Sequence, residues 1–98
     1  MTPLPTGMRM LIITYNLKGA STGYTAFYEA LKNQGSWWHY LPSTWLIVSG
    51  STPEQVANAL KTHLQEGDHL FVGTLQSGYN GWLPKDAWDW LQARGLNP

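Results

Sequence analysis

Apolar residues along the chain change from continuous runs to helical spacing and back, and this order predicts the elements of the fold. Met10–Tyr15 is an unbroken β-prone run, which is typical of a strand that is buried on both faces. The stretch after it has apolar residues at i, i+3, i+4 and i+7, which predict one face of a helix that ends near Gly35. The apolar positions of this helix are Tyr24, Phe27, Tyr28 and Leu31.

Two further strand-like runs, Trp37–Leu41 and Thr44–Val48, are separated only by Pro42-Ser43. So short a connection favours an antiparallel hairpin, with a single bent strand as the alternative. A helix start follows at Thr52–Gln55, where a Thr cap, a Pro at the first helical position and a Gln three residues after the cap coincide. This helix is expected to end at Gly67. Its predicted buried stripe is Val56, Leu60 and Leu64.

The remaining pattern predicts a fourth strand at His69–Leu75 and a terminal helix at Leu83–Arg94, with Pro84 near its start. The order strand, helix, strand, strand, helix, strand is that of a ferredoxin-like domain. We therefore expect an α+β protein: a ferredoxin-like βαββαβ antiparallel sheet with two helices on one face plus a C-terminal helix. Residues 8–98 are predicted to form this single domain, and residues 1–7, which contain two prolines, to be a disordered leader.

The predicted strand directions bring three distant segments to one edge of the sheet. These are Tyr15-Asn16 at the end of the first strand, Pro42–Thr44 in the hairpin and Asp68-His69 at the start of the fourth strand. Asn16 is expected to lie between the other two segments. Their oxygen and nitrogen groups are able to bind a hydrated divalent cation or a phosphate, and the alternative is that they are ordinary turn residues. The predicted binding residues are Tyr15, Asn16, Ser43 and Thr44.

Charge is scarce in this chain, and its scarcity limits the classes of partner. Six Lys and Arg balance six Asp and Glu, and charged residues make up 12% of the chain, about half the typical share. No overall field therefore draws the chain to nucleic acid or to an acidic membrane. The lack of cysteine excludes disulfides and suits the reducing cytoplasm, and Met10–Tyr15 is too short to span a bilayer. We expect a cytoplasmic protein without a membrane partner.

The chain has six tryptophans in 98 residues, which favours either a core rich in large aromatic side chains or an apolar surface that binds a partner. Trp45 opens a predicted central strand and is expected in the core. Trp37 and Trp38 point to opposite faces of an edge strand, so one of them looks outward unless it is covered. Trp88 and Trp90 lie about 200° apart on the last helix and cannot share one buried stripe. The predicted dimer interface is therefore Trp37, Trp38, Trp88 and Trp90.

Several segments together resemble the small CRISPR-associated Cas-two proteins. They are Thr14–Leu17 at the close of the first strand, the Tyr-rich first helix, and the aromatic hairpin that ends in Ser43–Val48. The blocks Trp37–Leu41 and Gly81–Pro84 are closer to the stand-alone relatives labelled SinR-like. The resemblance covers about residues 8 to 93. It implies a homodimer in which strands or termini of each protomer complete the other's sheet, and an ancestral link to nucleic acid.

The resemblance also bears on catalysis. Some members of the family are described as Mg-dependent nucleases that use an Asp at the end of the first strand, and the matching position here is Asn16. A neutral amide offsets the dehydration of Mg²⁺ less well than a carboxylate, which argues against metal catalysis at this position. Asp68, at the start of the adjacent strand, is the remaining acidic candidate. No metal or other cofactor is expected, unless the chain is a nuclease with Mg²⁺ at Asn16 and Asp68.

These observations favour a Cas-two-like dimeric interaction or structural module without catalytic activity, whose partner is a nucleic acid or a protein. One alternative is a Mg-dependent endonuclease acting on RNA or DNA. The other is a toxin-like ribonuclease that works without metal and uses His39 or His69 as general base. The candidate catalytic residues under these alternatives are Asn16, Asp68, His69 and His39.

Overall fold

The computed structural model describes Leu4, residues 6–76 and residues 78–94. In chain order its elements are β1 (Arg9–Asn16), a 3₁₀ turn (Ser21–Tyr24), α1 (Thr25–Lys32), β2 (Ser36–His39), β3 (Thr44–Ser49), α2 (Pro53–Lys61), β4 (His69–Thr74) and α3 (Lys85–Gln92). Within these residues the protein is α+β, with three α-helices and one four-stranded antiparallel sheet.

The sheet has the strand order β2-β3-β1-β4, and every pair of neighbours is antiparallel. In the register, Ile13 of β1 lies opposite Trp45 of β3 on one side and Val72 of β4 on the other. The continuous apolar run of β1 fits this position, because residues on both faces of a strand between two neighbours are covered by packing. Trp45 is 2% exposed, so its predicted place in the core is confirmed.

One face of the sheet packs against α1 and α2. Its buried cluster joins Leu11 and Ile13 of β1 to Phe27 of α1 and Leu60 of α2. The predicted capping box of α2 is confirmed, since the Thr52 side chain accepts from the backbone N–H of the residue three positions on, and that residue's side chain accepts in return. The predicted helix end at Gly67 is wrong.

Instead, α2 ends at Lys61, and the chain continues in turns whose backbone N–H groups donate to the last helical carbonyls. Leu64 lies beyond the helix and is half-buried against the same cluster. The first helix is also shorter than its apolar spacing predicts, because Tyr24 falls in the 3₁₀ turn and the helix ends at Lys32. A 3₁₀ turn keeps an i, i+3 spacing, so the side chains still share one face.

The other face of the sheet packs against α3 of the same chain. Met10, Leu46 and Val48 of the sheet form a second buried cluster with Leu91 of the helix. The helix runs from Lys85 to Gln92, inside the predicted bounds of residues 83–94. Ala87 and Leu91 are its buried positions, and the two tryptophans of the helix flank them, half-buried. The sheet therefore carries helices on both faces.

The hairpin of β2 and β3 is antiparallel, which confirms the hairpin prediction over a single bent strand. β2 ends at His39 rather than Leu41, so the connection is four residues long. Gly35 precedes β2 with a φ of +152°, and a Cβ there would lie 1.9 Å from the carbonyl oxygen of Val48. Only glycine allows this approach of the chain to β3.

Part of the predicted leader falls within the described residues. Leu4 packs against the second buried cluster, and Thr6 and Gly7 form a turn before β1. Residues 1–3 and 5 of the predicted leader lie outside the described residues. In the part of the chain that the structure describes, no helix has the length and apolar character needed to cross a membrane.

Candidate functional site

Asp68 is held by four hydrogen bonds that tie three segments of the chain together, and we call this arrangement the Asp68 clasp. Its Oδ1 accepts from the backbone N–H of Lys18 at 2.8 Å, and its Oδ2 accepts from the backbone N–H of Gln65 at 2.8 Å. The Tyr24 hydroxyl donates to both oxygens, at 2.9 and 2.8 Å. Tyr24 in turn accepts from the N–H of Gly19 at 3.0 Å.

The clasp shifts the pKa values of Asp68 and Tyr24 in opposite directions. Burial acts to raise the pKa of Asp68, but the donors from Lys18, Gln65 and Tyr24 stabilise its charged form and hold the pKa below the ordinary value. Burial and the bond to this carboxylate raise the pKa of Tyr24. Both Asp68 oxygens are thus occupied by protein donors, which is the behaviour of a structural turn residue rather than of an open metal ligand.

The predicted meeting of distant residues at one edge of the sheet occurs in part. Asn16 is exposed at the end of β1 and pairs directly with His69 of β4. On its other side β1 meets β3 two residues earlier, where Thr44 lies opposite Thr14 and its hydroxyl donates to that of Thr14 at 3.3 Å. In the described part of the chain, no group of three or more His, Cys, Asp or Glu side chains is placed to hold a metal ion.

A cleft of about 220 Å³ opens beside the end of β1, and we call it the polar cleft. Three of the four predicted binding residues line it, namely Tyr15, Asn16 and Ser43, whereas Thr44 does not. Its other lining residues are Leu17, Gly19, Tyr24, Tyr28 and Pro42. The sequence pattern places Tyr28 only on the packing face of a helix, and nothing in the spacing distinguishes a tyrosine that only packs from one that also lines a cleft.

Tyr15 is fixed at one wall of the polar cleft. The indole N–H of Trp45 donates to the Tyr15 hydroxyl at 3.0 Å, and that hydroxyl donates to the Pro42 carbonyl at 3.3 Å. The ring packs edge-on against Phe27, with centroids 5.1 Å apart. Burial raises the pKa of Tyr15, although the bond from Trp45 acts in the other direction. This side chain is therefore rigid and neutral.

His39 packs as part of the same hairpin. Its ring stacks on Trp45 with centroids 4.1 Å apart, and its Nε2 lies 3.3 Å from the Pro42 carbonyl oxygen. Because a carbonyl only accepts, this contact requires the proton on Nε2. His69 lies on β4 at the opposite edge of the sheet, three strand spacings or about 14 Å away. The structure therefore separates the two histidines that were candidate general bases.

A second cleft, of about 280 Å³, lies between the sheet and the loop before α3, and we call it the aromatic groove. Three of its lining rings belong to stacked pairs: Trp38, which stacks on Tyr40 outside the groove with centroids 5.9 Å apart, and Tyr79 and Trp88, which stack on each other with centroids 6.3 Å apart. Trp82 stands on the rim and is 98% exposed. The remaining lining residues that the structure describes are Ile12, Leu41, Thr44, Leu46, Leu75, Asn80, Gly81, Leu83 and Leu91, and none of these is charged.

The four tryptophans of the predicted dimer interface occupy different surroundings. Trp38 and Trp88 line the aromatic groove, and Trp88 also donates its indole N–H to the Leu83 carbonyl at 3.1 Å. Trp90 lies under the guanidinium of Arg94, 3.9 Å from its ring centre. Trp37 pairs with Ile47, so it lies on the face that carries α1 and α2.

Among the described residues, Trp82 is the most exposed of the large hydrophobic side chains, and the sequence pattern does not predict this. It belongs to the Trp-rich segment before and within α3, but the loop that holds it has neither strand nor helix period. Only the packing of Tyr79 and Trp88 beside it shows that its indole is left outside the core.

Comparison of the chain with protein-family models gives no match, and no curated protein matches it.

Proposed function

We propose that this chain is a self-associating interaction module of ferredoxin-like topology, without catalytic activity of its own, and that two copies bind through the aromatic groove. A homodimer is also what the resemblance to Cas-two-like and SinR-like proteins implies. The observation that carries the proposal is Trp82, an indole that is 98% exposed on the rim of an apolar groove. Exposed aromatic side chains beside apolar surface are typical of protein interfaces.

The same chain supplies both a protruding ring and a groove to receive it. In a two-fold dimer each partner presents the same patch, so Trp82 of one copy can enter the groove of the other while the reverse contact forms. Tryptophans that fill pockets near the centre of an interface contribute much of its binding energy. The stacked rings that line the groove are already packed, so little side-chain ordering opposes the contact.

Charge favours a second copy over a nucleic acid at this surface. The described lining of the groove carries no charged residue, so two identical surfaces approach without repulsion. A surface that binds phosphates presents clustered Lys or Arg, since these contacts supply most of the affinity. A protein partner fits the groove better on this ground. The cysteine-free composition suits a reducing compartment, and we assign the module to the cytoplasm.

The two enzymatic alternatives have less support. The Mg-dependent endonuclease would need carboxylates beside Asn16, and both oxygens of Asp68 are engaged by protein donors. The metal-independent ribonuclease would need a free general base, and His39 is stacked on Trp45 and bonded to the hairpin turn. His69 is exposed, but its neighbour Asp68 already accepts four hydrogen bonds from protein donors, so it is not free to act as the second acid or base.

Sedimentation velocity over a range of protein concentrations tests the proposal. We expect a dimer for the unaltered protein and at least tenfold weaker association for Trp82→Ala. Phe71→Ala is the matched control, because Phe71 is 69% exposed on the same face of the sheet but lies outside the groove. A protein that stays monomeric at every concentration, or a dimer that Trp82→Ala leaves unchanged, would overturn the assignment.

A further inference from the structure

We propose that the polar cleft binds a small neutral ligand rich in hydroxyl groups, such as a monosaccharide. The cleft lies at the end of β1 beside α1 and shares no lining residue with the aromatic groove, and the proposal does not depend on self-association. Three of its side chains make no hydrogen bond within the described residues: Asn16, Tyr28 and Ser43. Each of them both donates and accepts, and all three line the same cleft.

The charge around the cleft selects against ions. None of its described lining residues is charged. The carboxylate of Asp68 accepts from the hydroxyl of Tyr24, which lines the cleft, and would repel a phosphate or another anion placed there. Its oxygens are already bonded to Lys18, Gln65 and Tyr24, so it has little to offer a cation. A neutral ligand avoids both difficulties.

The chemistry of the three unbonded groups fits hydroxyls. A sugar hydroxyl donates one hydrogen bond and accepts others, as do the hydroxyls of Tyr28 and Ser43, and the amide of Asn16 supplies two donors and an acceptor. The rings of Tyr15 and Tyr28 lie 6.5 Å apart at 58°, which adds an apolar wall of the kind that the C–H face of a sugar contacts. Neutral sites of this type combine a few fixed polar groups with apolar lining.

The cleft is preorganised on the side of Tyr15. The bonds from Trp45 and to Pro42, with the packing on Phe27, hold that ring in place before any ligand arrives. The Asp68 clasp does the same for Tyr24 and for Gly19 at the other end. A site whose walls are already fixed loses little conformational freedom on binding.

An NMR titration of the full chain, followed through backbone amide shifts, tests the proposal. The probes are D-glucose, D-galactose and D-ribose, with inorganic phosphate and MgCl₂ as separate arms. We expect at least one sugar to cause saturable shifts in the millimolar range, confined to the end of β1, the hairpin turn and α1. We expect phosphate and Mg²⁺ to cause no saturable shift there.

Variants separate binding from folding. Tyr28→Phe and Ser43→Ala each remove one hydroxyl from the cleft, and each is expected to weaken sugar binding about tenfold or more, because the sugar hydroxyl that it bonded is then left unpaired. Tyr40→Phe removes an exposed hydroxyl outside the cleft and should leave binding unchanged. No saturable shift with any sugar, saturation by phosphate or Mg²⁺ instead, or binding that survives both cleft variants would overturn the proposal. Sedimentation reports on self-association separately.

Discussion

The Tyr24 hydroxyl forms a bifurcated hydrogen bond to both carboxylate oxygens of Asp68, at 2.9 and 2.8 Å. This contact joins the turn before α1 to the turn before β4, two segments that are 44 positions apart in the chain. The same carboxylate accepts from the backbone N–H groups of Lys18 and Gln65, two residues that lie outside the helices and strands. Asp68 therefore closes the fold at the edge of the sheet where a ligand site was predicted.

Replacement of Asp68 tests this role through its dependence on pH. The folded-state pKa lies below the unfolded value of about 3.9, so the clasp stabilises the fold fully above that value and loses its contribution as pH falls through the folded pKa. We expect Asp68→Asn to lower the melting temperature clearly at about pH 7 and much less at about pH 2. Thermal unfolding followed by circular dichroism measures both.

The control for this prediction is Glu66→Gln, which neutralises an exposed carboxylate two residues away in the same turn region. Its melting temperature should follow that of the unaltered protein at both pH values. A loss of stability in Asp68→Asn that persists unchanged in acid would show that the side chain acts by shape and not by charge.

The hydroxyl of Tyr24 is expected to act together with Asp68. Tyr24→Phe keeps the buried ring, which is 1% exposed, and removes only the donor to the carboxylate and the acceptor for Gly19. We expect it to destabilise the protein, and we expect the double variant Tyr24→Phe/Asp68→Asn to lose less stability than the sum of the two single changes. Urea unfolding of the four proteins gives the cycle. Strict additivity would contradict a direct interaction between these side chains.

The buried bond from Trp45 to Tyr15 should be costly to break. Tyr15→Phe leaves the Trp45 indole N–H in the core without its acceptor, and a buried unsatisfied donor costs about 1–3 kcal/mol. Urea unfolding should show this loss, whereas Tyr40→Phe, at an exposed position, should change the free energy of unfolding by less than about 0.5 kcal/mol. Equal effects of the two variants would mean that the hydroxyl of Tyr15 is not needed by Trp45.

The two tryptophans at the aromatic groove should differ in what they stabilise. Trp88 donates to the Leu83 carbonyl and stacks on Tyr79, so Trp88→Ala should destabilise the fold by about 3 kcal/mol, at the low end for core aromatic truncations because Trp88 is only half-buried. Trp82→Ala should change the free energy of unfolding by less than about 0.5 kcal/mol. Unfolding at concentrations where the protein is monomeric separates this effect from association. A large loss for Trp82→Ala in the monomer would place that ring in the fold and not at an interface.

Divalent metals should leave the protein unaffected. A metal that binds the native state raises its stability in proportion to RT ln(1 + [L]/Kd), so Mg²⁺ or Mn²⁺ bound at Asn16 would raise the melting temperature. We expect no such rise and no heat of binding by calorimetry, because the carboxylate nearest that edge is occupied. Saturable heat that disappears in Asp68→Asn would restore the nuclease alternative.

The capping box at Thr52 and the buried strand β1 could be predicted because their signals are local: a cap needs residues three positions apart, and a buried strand needs an unbroken apolar run. The end of α2 could not be predicted in this way. Leu64 continues the apolar spacing, yet the chain leaves the helix at Lys61 and reaches the turn where Asp68 accepts from Gln65. The other hydrogen bonds of Asp68 join residues 44 and 50 positions apart, and local residue spacing cannot predict such contacts.

Strand topology was enough to predict one part of the site, the residues that meet at the edge of the sheet where β1 ends. Strand directions alone place Asn16 beside His69, and the register bears this out. Topology does not say what each side chain does there. The Asp68 carboxylate accepts hydrogen bonds from three residues of the protein. Tyr28, which the sequence predicts only as a packing position, also lines the polar cleft. The contacts of each side chain depend on its rotamer and its spatial neighbours, and neither of these can be read from residue spacing in the sequence.

The sequence by itself determined the order of strands and helices, because this depends on residue spacing over one or two turns and, at the start of α2, on a capping box. It also determined the low charge of the surface. Only the tertiary structure decided that α3 covers the sheet face opposite α1 and α2, that Trp88 packs while Trp82 stands exposed, and that Asp68 closes the fold. These outcomes depend on which surfaces meet in space, and the free energy of such contacts is set by partners far away in the chain.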